Sequence, residues 1–339
     1  MSLRSLSRFN FASIVISILA GLLAYQASTR WSNFSSTIKK DWSSGFRADP
    51  MLEAVRSVST MAAKMVKTPV YFISHGGPMT MYNTDHPVYS KLQEIGKEIT
   101  TKVKPKAVVV FSAHWQAEGT NKIMINTKEK NDLIYDFYGF PSHCYKATYP
   151  NVGSKEIASH VMSALKSNGI EVESTSRGLD HGVWVCFNVL FNPETNPLNV
   201  PIVQVSLFSS EDPHQHYALG RAVSALRSEN IAIIVSGMAV HNLWDFRRTM
   251  GNSTPMPYTS SFDEALKDAV AVAPAEREEK MAALLKRSDA RQAHPTFDHL
   301  LPIFIGAGAA GEDTGERLWT LKEGSLSWAQ YRFGEVEAS

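Results

Sequence analysis

The chain has 339 residues, enough to bury the core of one large domain or of two smaller ones. Lys and Arg number 34 against 33 Asp and Glu, so the basic excess typical of nucleic-acid-binding domains is missing and we exclude nucleic acid as a partner. The only two cysteines, Cys144 and Cys186, are too few for a disulfide scaffold or a Cys-x-x-Cys zinc motif. Any metal site must therefore be built mainly from the eleven histidines.

Residues 1–45 differ in composition from the rest and are predicted to be a targeting or anchor segment followed by a linker. Arg4 and Arg8 precede an apolar stretch at residues 11–25, and no acidic residue occurs before Asp41. The stretch is shorter than the roughly 20 residues of a comfortable membrane span, but it is compatible with membrane attachment. A secretory signal or anchor and a mitochondrial presequence both fit, with an ordinary buried helix as the alternative. The localisation therefore stays open between the membrane or secretory pathway and the mitochondrion.

Two short apolar runs end in small residues and a histidine. Val70–Ile73 leads into Ser74-His75-Gly76-Gly77-Pro78, and Val108–Phe111 leads into Ser112-Ala113-His114-Trp115. The intervening residues, Tyr89–Val103, have the apolar spacing of a helix, which predicts a β-α-β unit with buried parallel strands. Because α/β sheets carry their chemistry at the carboxyl ends of the strands, we predict a metal-centred pocket between two neighbouring strands.

Three further histidines lie in comparable settings. His241 follows the predicted strand Ile231–Val235, His181 lies in Asp180-His181-Gly182, and His299 precedes an apolar, small-residue helix. Together with His75 and His114 they exceed what a metal ion needs, which leaves one or two imidazoles for proton transfer. The other six are interpreted by default as surface or supporting residues: His86, His143, His160, His214, His216 and His294.

Two other segments complete the predicted domain. Residues 131–151 are rich in aromatics, and Phe137, Tyr138, Phe140 and Pro141 could either plug the core or wall a pocket for a planar substrate. Residues 318–333 are predicted to form a hairpin that turns near Glu323-Gly324, at a sheet edge and away from the site.

Taken in order, these motifs resemble the class III extradiol ring-cleavage dioxygenases, most closely the branch of 4,5-DOPA extradiol dioxygenase-like proteins. The motifs that carry the resemblance are Ser74-His75-Gly76-Gly77-Pro78, Ser112-Ala113-His114-Trp115, Asp180-His181-Gly182-Val183-Trp184, Val240-His241-Asn242-Leu243 and His294-Pro295-Thr296-Phe297-Asp298-His299-Leu300-Leu301-Pro302. The resemblance implies a single α/β catalytic domain over residues 66–335, with a central mixed β-sheet flanked by helices on both faces.

The resemblance also implies a site. His75, His114 and His299 match metal ligands, His241 matches the metal site with a possible second, catalytic role, and His181 matches a catalytic acid-base residue. Protocatechuate-cleaving relatives have a glutamate where this chain has His299, so its donor set is all nitrogen. Fe(II) is the implied metal and Zn(II) the alternative at the same site.

The implied reaction is cleavage of a catechol ring by O₂. Two other functions stay open from the residues alone: a zinc hydrolase built on the same pocket, since an open zinc position activates water, and a non-catalytic binding module of the same fold. The catechol and the oligomeric state are not specified by the sequence.

Overall fold

The computed structural model describes residues 67–119, 121–249 and 253–336. The predicted targeting or anchor segment, residues 1–45, and its apolar part, residues 11–25, lie outside the described residues. Among the helices that are described, none has the length and apolar character needed to cross a membrane.

A mixed sheet forms the centre of the fold. Within the described residues its eight strands are β1 (Val70–Ser74), β2 (Ala107–Gln116), β3 (Lys122–Asn126), β4 (Glu171–Thr175), β5 (Ile202–Leu207), β6 (Ile231–Gly237), β8 (Gly315–Trp319) and β11 (Gln330–Phe333). They lie in the order β4-β3-β5-β2-β6-β1-β11-β8. Neighbouring strands among β5, β2, β6 and β1 run parallel, whereas β11 runs antiparallel to both β1 and β8.

The described residues also form a second sheet of three short strands, β7 (Val240–His241), β9 (Lys322–Glu323) and β10 (Leu326–Ser327). Their order in the sheet is β7-β10-β9. The α-helices described are α1 (Pro87–Glu98), α2 (Lys155–Ser167), α3 (His181–Leu190), α4 (Pro213–Val223), α5 (Leu243–Thr249), α6 (Pro257–Ala271), α7 (Pro274–Leu284), α8 (Ala290–Ala293) and α9 (Leu301–Ala310).

Both faces of the large sheet are buried, because successive strand residues point into two different apolar cores. On β1, Val70 and Phe72 enter one core, while Tyr71 and Ile73 enter the other. The first core is completed by α2, α4, α6, α7 and α9, and the second by α1 and α3. The prediction of an α/β fold with a mixed sheet flanked by helices on both faces is thereby confirmed.

β1, which ends directly before His75, and β2, which contains His114, are not neighbours, so the prediction of a pocket between two neighbouring strands is wrong in that respect. β6 lies between β1 and β2 and pairs in parallel with both, with Ser236 opposite Ile73 on one side and Ser112 on the other. The connection from β1 through α1 to β2 therefore skips one strand position in the sheet. That position is taken by β6, which begins more than a hundred residues after the end of β2.

The C-terminal hairpin also differs from its prediction. β9 and β10 do turn at Gly324, which has φ +50°, but β11 lies inside the large sheet, and β8 forms its edge. β10 pairs with β7 so that Leu326 lies opposite His241. The hairpin therefore supports the site instead of lying away from it.

Candidate metal centre and active site

The structure gathers the five predicted site histidines at one end of the sheet. His75 directly follows β1, His114 lies near the end of β2, and His241 ends β7. His181 is the first residue of α3, and His299 lies two residues before α9. The ring centroid of His114 is 5.0 Å from that of His75, 4.8 Å from that of His299 and 3.9 Å from that of His181.

Three of these rings point the same nitrogen at one another. Nε2 of His114 is 3.1 Å from Nε2 of His75 and 3.2 Å from Nε2 of His299. Which of these nitrogens carries a proton follows from the partner that each Nδ1 has on the opposite side of its ring.

For His75 the partner is a serine hydroxyl. Nδ1 of His75 is 2.9 Å from Oγ of Ser236, and that hydroxyl donates its own proton to the carbonyl oxygen of Gly182. The Ser236 oxygen must therefore accept a hydrogen bond from Nδ1–H of His75, which leaves Nε2 without a proton.

For His299 and His114 the partners are carboxylates. Nδ1 of His299 is 2.5 Å from Oδ2 of Asp298, and Nδ1 of His114 is 3.4 Å from Oδ2 of Asp136. Burial raises the pKa of Asp298, but its hydrogen bond and charge interaction with His299 outweigh that effect and lower the pKa well below its ordinary value. An ionised carboxylate only accepts, so Nδ1–H of His299 donates to Asp298, and Nδ1 of His114 lies within ion-pair distance of a second carboxylate. In the neutral ring form that carries its proton on Nδ1, Nε2 is the bare nitrogen.

Three bare imidazole nitrogens at this spacing suit a metal ion. Burial, and after it the charge of neighbouring histidines, lowers the pKa of His75 and His114 well below its ordinary value, so that both rings are neutral at pH 7. Metal–nitrogen bonds of ~2.0–2.1 Å place adjacent ligand nitrogens about 3.0–3.4 Å apart, as observed between His114 and each of its two neighbours. The carboxylate and hydroxyl partners on Nδ1 are typical outer groups of metal-binding histidines.

His241 lies at the same site in a different orientation. Its ring stacks on that of His299 with centroids 3.7 Å apart and planes 12° apart. Burial is also the largest cause that lowers the pKa of His241 well below its ordinary value. His241 is therefore a neutral imidazole beside the cluster, with its ring parallel to that of His299.

His181 is also close enough to take part. The potential ligand atoms of His75, His114 and His181 all lie within 4.8 Å of one another. Nδ1 of His181 is bonded to Oδ1 of Asp136 at 2.9 Å, and its backbone N–H donates to the same oxygen at 3.0 Å. The geometry allows either metal binding or proton transfer by Nε2 of His181.

Asp136, which the sequence analysis missed, orients His181; the adjacent Asp180 does not. The buried carboxylate of Asp180 accepts hydrogen bonds from Ser112 at 2.7 Å and from Arg177 at 3.0 Å instead. Asp136 was included only as part of the aromatic stretch, where nothing in the local pattern marks it as a partner of a histidine 45 residues later.

The aromatic stretch lies at the histidine end of the sheet. The Phe137 ring is 5.6 Å from the His181 ring, and Phe140 packs on Phe137 at 5.5 Å. Pro141 is the N-cap of the 3₁₀ helix Ser142–Lys146, while Tyr138 is 89% exposed. Phe137 thus contacts the core and the site at once, whereas Tyr138 is available to a molecule that enters from solvent.

The other histidines have separate partners. His86, His160 and His214 pair with Glu323, Glu229 and Glu278 at 2.8–3.0 Å, His143 contacts Tyr82, and His216 bonds the carbonyl of Asp212. His294 is buried and bonds the carbonyl of Ala239, two residues before His241.

Comparison with known proteins gives a consistent result. The family described as the catalytic LigB subunit of aromatic ring-opening dioxygenase matches residues 69–336. The chain is 34% identical to a 4,5-DOPA dioxygenase extradiol of Beta vulgaris over 275 residues, which are 78% of this chain and 95% of that protein. It is 30% identical to a 4,5-DOPA dioxygenase extradiol of Escherichia coli over 282 residues, 82% of this chain and 98% of that protein.

A solved structure is similar as well. The crystal structure of an uncharacterized protein from Escherichia coli K12 superposes with a TM-score of 0.63 at 28% sequence identity, covering 79% of this chain and all of that chain.

Proposed function

The chain belongs to the family of the catalytic LigB subunit of aromatic ring-opening dioxygenases and is an extradiol ring-opening dioxygenase; from this premise we propose that it cleaves a catechol with O₂ at a non-haem metal ion held by histidines. The observation that supports the metal most directly is the convergence of the bare Nε2 atoms of His75, His114 and His299. The zinc hydrolase and the non-catalytic module gain no support from the relatives.

We assign the metal to His75, His114 and His299, with His241 as a further group of the same site. When bound, a redox-active ion such as Fe(II) would acidify the catechol hydroxyls and let O₂ react with the ring, which Zn(II), having no redox chemistry, would not do. Fe(II) is therefore the proposed working metal, and Zn(II) is an inactive occupant that an all-nitrogen donor set also accepts.

The chain's own residues supply proton transfer and enclosure. A catechol loses a proton as it binds, and the imidazoles of His181 and His241 are placed to accept it. His181 carries its Nδ1 proton toward Asp136, so it takes up the substrate proton at Nε2 and can return it later in the reaction. Phe137 and Phe140 line the approach to His181 and would exclude water from the ring being cleaved.

Anaerobic reconstitution tests this function. Metal-free protein is loaded with Fe(II) or, as the matched control, with Zn(II), and each form is mixed with a panel of catechols in air. We expect O₂ uptake and a new visible absorbance from a ring-opened semialdehyde with Fe(II) only. Uptake of Fe(II) without oxygen consumption for any catechol would refute the proposal.

A further inference from the structure

Asp136 contacts two site histidines with the two oxygens of one carboxylate. Oδ1 accepts hydrogen bonds from the backbone N–H of His181 at 3.0 Å and from its Nδ1 at 2.9 Å, while Oδ2 lies 3.4 Å from Nδ1 of His114. The two imidazole rings have centroids 3.9 Å apart. One side chain thus lies on the far side of both rings, hydrogen-bonded to His181 and within ion-pair distance of His114.

The charge on Asp136 determines which atoms carry protons. An aspartate carboxyl with its ordinary pKa is ionised at neutral pH and has no proton to donate. Oδ1 already accepts two hydrogen bonds from His181, so the groups that face the carboxylate are its donors. Nδ1–H of His181 therefore donates to Oδ1. A proton is also favoured on Nδ1 of His114, since a bare nitrogen would direct its lone pair at a carboxylate oxygen 3.4 Å away.

We propose that Asp136 is a positioning residue that fixes the tautomers of His114 and His181 together, presenting one bare Nε2 to the metal and the other to the substrate proton. The negative charge of the carboxylate also stabilises His181 once that ring has gained a proton. The roles of His114 in binding a metal and of His181 in taking up the substrate proton rest on the proposed function. The two tautomers do not, because they are a property of the metal-free chain.

Asp298 provides a comparison within the same site. It pairs with His299 at 2.5 Å, in the way that Asp136 pairs with its two histidines. Loss of the Asp298 charge should therefore alter His299 while His114 and His181 keep their tautomers. Far from these contacts, Glu229 pairs with the surface residue His160 at 2.8 Å and offers a matched acid-histidine control.

The informative variant is Asp136→Asn, because an amide has one acceptor oxygen and one donor group. The backbone N–H of His181 must always face an oxygen, so the amide NH₂ is left to face Nδ1 of His114. His114 then has to move its proton to Nε2, the atom that points at the cluster. We expect Zn(II) affinity to fall about 10–100-fold, as for other groups that orient metal ligands.

Two readouts separate orientation from a general loss of structure. Nitrogen-15 NMR of histidine-labelled, metal-free protein reports each tautomer, and Zn(II) competition with a chromophoric chelator reports affinity. We expect Asp136→Asn to change the His114 signal, Asp136→Glu to retain it, and Glu229→Gln to change neither the site tautomers nor the affinity. Unaltered His114 tautomer and Zn(II) affinity in Asp136→Asn would overturn the inference.

The wild-type spectrum decides the matter even if Asp136→Asn does not fold, since a proton on Nε2 of His114 or His181 in the metal-free protein contradicts the inference. Failure of the proposed function is distinguishable. Protein that binds metal but cleaves no catechol would refute that function and leave the tautomer result intact.

Discussion

The rings of His241 and His299 stack nearly parallel, with planes 12° apart and centroids 3.7 Å apart. An imidazole lone pair lies in the plane of its ring, so two stacked rings cannot both direct their lone pairs at one ion unless one of them turns. His299 is anchored by Asp298 and has its Nε2 3.2 Å from that of His114, which favours His299 as the ligand.

We therefore expect His299→Gln to lose metal, with a Zn(II) affinity reduced at least as much as the ~10–100-fold typical of losing an orienting partner. His241→Gln should keep its metal and lose turnover, because the stacked ring serves proton transfer. Metal analysis and oxygen uptake measured on both variants test this, with His160→Gln on the surface as control. Equal loss of metal from both variants would make His241 a ligand.

His181→Gln is expected to retain metal and catechol affinity while ring cleavage falls by ~10²–10⁴-fold, the usual contribution of a general acid-base group. The centroid of this ring lies 3.9 Å from that of His114, and its Nδ1 is held by Asp136. Metal content and steady-state oxygen uptake provide the measurement. Loss of the metal would instead identify His181 as a ligand, as its grouping with His75 and His114 permits.

The stability of the metal-free protein should fall in mild acid. Burial lowers the pKa of His75, His114 and His241 well below its ordinary value, whereas in the unfolded chain each takes up a proton near pH ~6.5. Below that pH the unfolded state binds more protons, so the free energy of unfolding decreases by up to about 1.4 kcal/mol per pH unit for each histidine. Urea unfolding at pH 7, 6 and 5 measures the slope, which His75→Gln should reduce. A slope of zero would contradict buried neutral rings.

Two adjacent glycines make a matched pair for the loop that carries His75. A Cβ on Gly76 would lie 2.3 Å from the Trp328 ring, and φ is +63°, so Gly76→Ala should destabilise the protein by about 1–3 kcal/mol. At Gly77 the nearest atom, on Phe140, is 3.7 Å away, and Gly77→Ala should change stability little. Thermal unfolding compares the two, and equal effects would show that Trp328 does not constrain the loop.

The aromatic wall should affect substrate binding more than metal binding. Phe140→Ala removes a ring that packs on Phe137, and we expect the KM for catechols to rise about 2–10-fold, the equivalent of a ring contact worth ~0.5–1.5 kcal/mol. Metal content should not change. Val152→Ala, at a side chain 53% exposed, is the control. An unaltered KM in Phe140→Ala would indicate that this segment only plugs the core.

Much of the candidate site can be predicted from the sequence, because its histidines follow strands that short stretches of sequence are enough to identify. Buried parallel strands are short apolar runs, and a histidine in the small-residue turn after such a run must lie near the end of the sheet where parallel strands finish. On this ground the sequence predicts that His75, His114 and His241 lie at one end of the sheet. The α/β class followed from the same runs alternating with helical spacing, and the ordered motifs indicated the family.

Only the tertiary structure decided which groups touch. The insertion of β6 between β1 and β2 depends on pairings between residues more than a hundred positions apart, which no local pattern encodes. Asp180, next to His181 in sequence, points to Ser112 and Arg177, because consecutive residues at a helix start project in different directions. Asp136, 45 residues away, reaches His181 instead. Adjacency in the chain is a covalent property, whereas hydrogen-bond partners are selected by packing, and it is packing that unites Asp136, His114 and His181.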